Sequence, residues 1–441
     1  MEHLEDLKDF LRIPSISTDP AHHPDILRAA RFVAEQLRAG GMHNVELIVG
    51  DGNPLVYGDW LAAPGKPTLL MYGHYDVQPP DPLDEWLSPP FEPEIRGDNI
   101  YARGAADDKG LTLILIKAVA GLLKKRGSLR VNIRFLIEGE EEVGGEHIER
   151  YVSSKPAQMR ADAAVICDTE MFAPELPTIC VGLRGIIYGE LVVQGAEQDL
   201  HSGVYGGAAP NPIQAIAEIL CALKDRDGHI RIPGFHDRIV PPSDKERAAW
   251  ARLPFHEKEY LHQEMKAIAL VGEPEYPLFD RLWARPTLEV HGIRGGFTGE
   301  GAKTVIPAHA VAKISTRLVA DQRPSEAIEQ IQAAVAAACP RGVRAEFRAI
   351  HSAPPSLVNP DNPFIKAAAD AMTAVFGNET VYTRSGGSIP IVGLFERSLG
   401  IPSVMMGFGL PDDNLHAPNE KLYLPNFFRG IEAVEKFLEM L

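Results

Sequence analysis

Side chains able to bind a metal ion recur at five places in this chain. They are Gly73-His74-Tyr75-Asp76-Val77-Gln78, Arg103-Gly104-Ala105-Ala106-Asp107-Asp108-Lys109-Gly110, Glu138-Gly139-Glu140-Glu141-Glu142-Val143-Gly144-Gly145, Cys167-Asp168 and Asp412-Asp413-Asn414-Leu415-His416. Two imidazoles and several carboxylates, without thiolates, form a hard-to-borderline nitrogen and oxygen set suited to Zn²⁺, Mn²⁺ or Co²⁺. Such a set can hold two ions. A metal pair about 3.5–4 Å apart polarises a carbonyl and lowers the pKa of a shared water toward ~7, which makes a nucleophile for hydrolysis. A further glutamate in the run Glu140–Glu142 can take the proton from that water and pass it to a leaving amine.

Each piece taken singly has an ordinary explanation. The chain has 15 histidines, and a lone histidine after a strand is usually a satisfied polar residue; His22 and His229 are left at that. A short acidic run is commonly a solvated turn. Asp107-Asp108 suits an N-cap followed by a first-turn acid. The placement is what resists dismissal, because most of the pieces sit where an apolar run ends.

Those runs define the elements that must position the chemistry. Thr68–Tyr72, Val131–Ile137 and Ala163–Ile166 read as buried strands, and Leu111–Leu123 as the helix between the first two. Ile26, Ala29, Ala30, Val33 and Leu37 recur at helical spacing and stop at Gly40-Gly41. A β-α-β rhythm of this kind predicts an α/β domain with a mostly parallel sheet, whose ligands bind beyond the carboxyl ends of the strands. From about Leu183 the texture changes to alternating strands (Ile186–Val193, Val311–Leu318, Val343–Ala349), two helices (Pro212–Lys224, Ser325–Ala338) and a long polar-aromatic insertion, the mark of a separate α+β domain. After the Pro354-Pro355 and Asn359–Pro363 clusters a helix, a strand near Ser403–Met406 and a last helix resume the first pattern. The expected organisation is a discontinuous catalytic domain, residues 1–183 and 356–441, with residues 184–355 inserted in it.

Composition narrows the function. With 44 Lys+Arg against 60 Asp+Glu the formal charge is −16, the wrong sign for a nucleic-acid backbone or an anionic lipid surface. The four cysteines, Cys167, Cys180, Cys221 and Cys339, show no C-x-x-C pairing, so a reducing cytoplasm is the default. No basic n-region with an apolar core opens the chain and no run of 18 apolar residues occurs, so neither secretion nor membrane spanning is expected.

Gly-His-x-Asp-Val, Arg-Gly-Ala-x-Asp-Asp-Lys-Gly, Glu-Glu-x-Gly-Gly and the late His-Ala-Pro-Asn-Glu together resemble the M20 family of metallopeptidases, in order and spacing, from Ile13-Pro14-Ser15-Ile16-Ser17 to His416. The resemblance implies two divalent ions per subunit, zinc first with manganese or cobalt as alternatives. It implies His74 and Asp168 on one ion, Glu142 and His416 on the other, Asp107 bridging both, Glu141 as general base and acid, and Asp76 orienting the His74 imidazole. Leu200-His201-Ser202-Gly203-Val204-Tyr205-Gly206-Gly207, Gly301-Ala302-Lys303-Thr304-Val305-Ile306-Pro307 with Arg317, and Gly386-Gly387-Ser388-Ile389-Pro390 resemble the carnosine-type dipeptidase branch. There the matching His201, Thr304, Arg317 and Ser388 contact substrate. Arg317 holds the free carboxylate, for which a guanidinium is the natural bidentate partner, and His201 stabilises the oxyanion. Ser385 departs from the branch, whose pattern has Glu before Gly-Gly-Ser, and this leaves recognition of the amine end open.

The expected activity is therefore hydrolysis of the amide bond of a dipeptide or short peptide next to a free C-terminal carboxylate. An N-acyl-amino-acid deacylase is the alternative on the same scaffold, and a catalytically silent binding protein the alternative from another class. The resemblance also makes the inserted region a lid/dimerisation domain and implies a homodimer in which His201 serves the neighbouring subunit's site.

Overall fold

A computed structural model describes residues 2–441 of the 441-residue chain. Two compact units result. One comprises the chain through Val181 with Val358–Thr383 and Ile391–Leu441; the other comprises Gly182–Leu357 with Arg384–Pro390.

The first unit is built on a large sheet whose strands lie in the order His43–Ile48, Leu55–Trp60, Asn132–Glu138, Thr68–His74, Ala163–Ile166, Ser403–Gly407, Thr178–Leu183. The four central strands from Asn132–Glu138 to Ser403–Gly407 run parallel, and their neighbours on either flank pair antiparallel. Central strands buried on both faces read as unbroken apolar runs, which is why Thr68–His74 and Ala163–Ile166 were legible. Parallel pairing also sends the carboxyl ends of these strands to one edge, with His74 opposite Glu138 in register. The helix Lys109–Arg126 is buried almost all round, as an apolar sequence without a polar face requires. It packs among the sheet, the N-terminal helix Glu2–Leu11 and the C-terminal helix Leu424–Met440. Each fully buried side chain there, Ile114 for example, contributes about 1.5–3 kcal/mol by leaving water. Its basic last turn suits the helix dipole and gains partners too, since Lys125 pairs with Glu435 and Arg126 with Glu439.

The second unit carries an antiparallel sheet in the order Thr287–Gly295, His309–Leu318, Gly185–Gln194, Arg344–Ala353. Alternate residues Ile187, Leu191 and Val193 point into a core closed by the helices Pro212–Leu223 and Pro324–Ala338, through Ile216, Ile219, Ile331 and Val335. Asn211 starts the first of these helices by accepting the Ile213 amide at 3.0 Å, with Pro212 at the first helical position.

One boundary differs from the sequence reading. Residues 384–390 belong with the second unit rather than with the 356–441 return. Arg384 is buried against Glu246 (2.6 Å) and stacks near Trp250, whose ring meets Trp283 at 5.1 Å. The polar-aromatic insertion thus provides the seat that draws this segment over. No helix is long and apolar enough to cross a membrane among the described residues, and Cys167, Cys221 and Cys339 are free thiols.

Candidate metal centre

Five side chains meet at the carboxyl ends of the parallel strands. His74 ends its strand; Asp168 lies two residues beyond Ala163–Ile166; Glu141 and Glu142 open a single helical turn after Asn132–Glu138; His416 lies in the loop after Ser403–Gly407. Asp107 stands just before the helix Lys109–Arg126 and faces both imidazoles, its Oδ1 3.1 Å from His74 Nε2 and its Oδ2 2.8 Å from His416 Nε2. His416 Nε2 is also 3.4 Å from Glu142. The donor atoms fall into two groups, His74-Asp107-Asp168 and Asp107-Glu142-His416, each within 4.8 Å and sharing Asp107.

The imidazole of His74 is oriented from behind. Its Nδ1 lies 3.1 Å from the Asp76 carbonyl and 3.3 Å from the Asp76 carboxylate, which places the proton on Nδ1 and leaves Nε2 facing Asp107. Fully buried Asp76 does more than the sequence suggested, since its two oxygens also accept the amides of Glu141 (3.3 Å) and Glu142 (3.2 Å) and so hold that turn. Gln78 adds a 2.7 Å bond to Glu142.

The charges are uncompensated. No lysine or arginine pairs with Asp107, Glu141, Glu142 or Asp168 among the described residues, and Glu142 Oε1 is buried without a hydrogen-bond partner. Burial, then the neighbouring carboxylates, pushes Glu141 up to about 8, Glu142 up to about 7 and Asp168 up to about 6. Burial acts on Asp107 in the same direction, but hydrogen bonds from His416 and His74 hold it well below the usual carboxylate range. A nitrogen and oxygen donor set with excess negative charge, one orphaned carboxylate oxygen and no protein cation fits divalent ions.

A second acidic cluster, Asp225, Asp227, His229, Glu273 and Glu275 in the other unit, shows the contrary pattern. His229 lies 3.2 Å from Asp225 and 3.0 Å from Glu275; Arg231 grips Asp225 at 2.9 Å and Arg285 grips Glu273 at 2.5 Å. Asp225 Oδ1 is further occupied by the amides of Asp227 and His229. Three of its four acids, Asp225, Glu273 and Glu275, are already paired with cations or the imidazole, so the cluster is largely balanced without a metal.

The remaining expected residues lie in the second unit. Leu200-His201 pairs with Val305-Ile306 next to Thr304, bringing His201 and Thr304 to one exposed spot. His201 Nδ1 accepts the Gly203 amide at 3.0 Å, so the ring proton sits on Nε2 as an outward donor. Arg317 donates to Ser388 Oγ at 2.8 Å while that hydroxyl donates to the Arg184 carbonyl, which makes Ser388 a brace for Arg317. Burial lowers the pKa of both guanidiniums, and neither has an ion-pair partner among the described residues.

Sequence reasoning missed several positioning groups. Asp108 sits at the N-cap but does not cap; its Oδ2 accepts from the His74 amide (3.0 Å) and Thr112 Oγ1 (2.7 Å). Ser15 donates to the Tyr75 carbonyl (2.6 Å), its own carbonyl accepts the Val77 amide (2.9 Å), and buried Lys109 donates to the carbonyls of Phe10 and Ile13, so the segment after the first helix braces two of the site loops. Burial pushes Lys109 down to about 7. The available signal was the inclusion of Ile13–Ser17 and Lys109 in the quoted motifs.

Comparison with known proteins agrees with this geometry. Residues 70–440 match the model of peptidase family M20/M25/M40. The chain is 32% identical to the Cys-Gly metallodipeptidase of Candida albicans, over 99% of this chain and 93% of that protein. It is 31% identical to the human Beta-Ala-His dipeptidase, over 100% and 90%. Among solved structures, an M20 family metallo-carboxypeptidase from Sulfolobus solfataricus superposes with a TM-score of 0.87 at 33% identity, covering 100% of this chain and 99% of that one. The fold and the relatives define a metallopeptidase enzyme. Within that class, the chain belongs to peptidase family M20/M25/M40.

Proposed function

We propose that this enzyme hydrolyses the amide bond of dipeptides or short peptides next to a free C-terminal carboxylate, with two divalent ions per subunit held by His74, Asp107, Asp168, Glu142 and His416. Zinc is the first choice of metal, with manganese and cobalt as alternatives. The supporting observation is the sharing of Asp107 between two three-residue donor groups. Relatives whose names attach them to Cys-Gly and Beta-Ala-His support the dipeptide class, both being small and bearing a free carboxylate.

The chemistry supplied by bound ions is polarisation of the scissile carbonyl and acidification of the attacking water. Glu141 accepts the water proton and returns it to the leaving amine, its raised proton affinity suiting a group that must both take and give. Asp76 holds the Glu141 turn and the His74 ring in place. His201 Nε2–H donates to the developing oxyanion, Thr304 lies beside it as a substrate contact, and Arg317, braced by Ser388, holds the substrate carboxylate. Ser385 offers no charge to an amine. The same proposal includes a cytoplasmic location, which suits the free thiols of Cys167, Cys221 and Cys339, and a two-fold homodimer in which His201 serves the partner's site.

Metal titration of the chelated protein, followed by assay of dipeptides with free and amidated C-termini, acyl-amino acids and longer peptides, tests this. Two ions per chain and selective cleavage of free dipeptides are expected. Full activity without metal, or equal cleavage of amidated substrates, contradicts it; acyl-amino acids outperforming dipeptides would instead indicate a deacylase. Sedimentation checks the dimer, and a monomer at working concentration removes the trans role of His201.

A further inference from the structure

Asp107 sits in a stretch without regular structure, Ala102–Asp108, whose amides have no strand or helix to satisfy them. The Arg103 amide goes to the Pro90 carbonyl (2.8 Å) and the Ala105 amide to the Ala102 carbonyl (3.2 Å), but those of Gly104, Ala106 and Asp107 share one acceptor, a side chain from the far end of the sequence. Glu420 is fully buried; its Oε2 accepts from the Gly104 amide (2.8 Å) and Arg103 Nη1 (2.7 Å), and its Oε1 from the amides of Ala106 (2.9 Å) and Asp107 (3.1 Å). Its own carbonyl accepts the Ala102 amide at 3.1 Å. Arg103, 1% exposed, continues to the Pro79 carbonyl at 3.1 Å.

The backbone leaves this loop little room. Lys421–Tyr423 pairs antiparallel with Asn99–Tyr101, which sets Glu420 directly against Ala102. Gly104 has φ +81°, and a Cβ there would lie 2.5 Å from Val77 Cγ1. Glu420 also stands four residues after His416, so one carboxylate ties together the loops that carry Asp107 and His416, whose side chains meet at 2.8 Å.

We infer that Glu420, held by Arg103, is a positioning residue that fixes the Asp107 backbone so that its carboxylate faces both imidazoles at once. This rests on the metal reading above. A carboxylate is required because all four groups it meets are donors. The amide of Glu420→Gln would turn an N–H₂ toward N–H donors and break half of the cradle.

The test is metal affinity by chelator competition, together with kcat, KM and thermal melting, for wild type, Glu420→Gln and Arg103→Lys. The expected result for Glu420→Gln is a metal affinity lower by roughly 10- to 100-fold, the usual effect of losing a group behind a ligand, with kcat reduced and KM held within about 2-fold. A merely structural role would lower the melting point but leave affinity and kcat per folded molecule unchanged, and that outcome overturns the proposal. Should Glu420→Gln fail to fold, Arg103→Lys decides, with a smaller loss of affinity in the same direction expected and wild-type affinity contradicting the assignment. Wild type that takes up no metal overturns the metal reading itself, whereas wild type that binds normally beside an equally tight Glu420→Gln overturns the positioning role alone.

Discussion

Two clusters of histidine and carboxylates have the spacing of a cation site, and they differ in what surrounds them. Around Asp107 the acids face one another and two imidazoles with no guanidinium or ammonium paired to them among the described residues, and burial drives Glu141, Glu142 and Asp168 toward their neutral forms. Around His229 the same residue types come with Arg231 and Arg285, and the imidazole is drawn toward its charged form, chiefly by its hydrogen bond to Glu275. Carboxylate count does not separate the two; charge balance does. A buried like-charge cluster is unfavourable unless something absent from the chain neutralises it, whereas an ion-pair cluster is complete as it stands.

The comparison is most sharply broken at the glutamate pair. Glu141→Gln is expected to keep its metal and lose at least ~10²-fold in turnover, since an amide cannot accept the water proton. Glu142→Gln is expected to lose metal instead. Metal content and rate measured on both variants decide, and the reverse pattern would move both roles along the run. A smaller effect is expected at Arg317, which is the mirror image of the Asp107 cluster, a half-buried cation without an anionic partner among the described residues. Arg317→Ala should cost about 1.5–3 kcal/mol in kcat/KM for free dipeptides, roughly ten- to hundredfold, from one charge-assisted contact. Little change toward amidated dipeptides should accompany it; equal losses on both substrates would speak for a structural role. The smallest effect belongs to the balanced cluster. His229→Ala should leave metal stoichiometry and kcat/KM at wild-type values, and a lost ion there would mean that charge balance is a poor guide to metal sites.

Local patterning accounts for what could be read early. The apolar strands Thr68–His74 and Ala163–Ile166, the all-round apolar helix before Gly127 and the alternation in Gly185–Gln194 follow from neighbouring side chains and the 2.0 and 3.6 periods of the backbone. The chemistry at strand ends was legible for the same reason, because a parallel sheet sends those ends to one edge. The antiparallel flanks of that sheet were less so, since pairing direction depends on which strands meet and not on the strand's own composition.

The sequence by itself therefore determined the elements and the inventory of candidate ligands. Only the tertiary structure decided that Asp107 meets His74 and His416, 33 and 309 residues away, that Glu420 cradles the Asp107 loop, that Ser388 braces Arg317, and that residues 384–390 join the second unit. Contacts at such separations are selected by sheet register and by the need to satisfy every buried donor, and no window of adjacent residues carries that information.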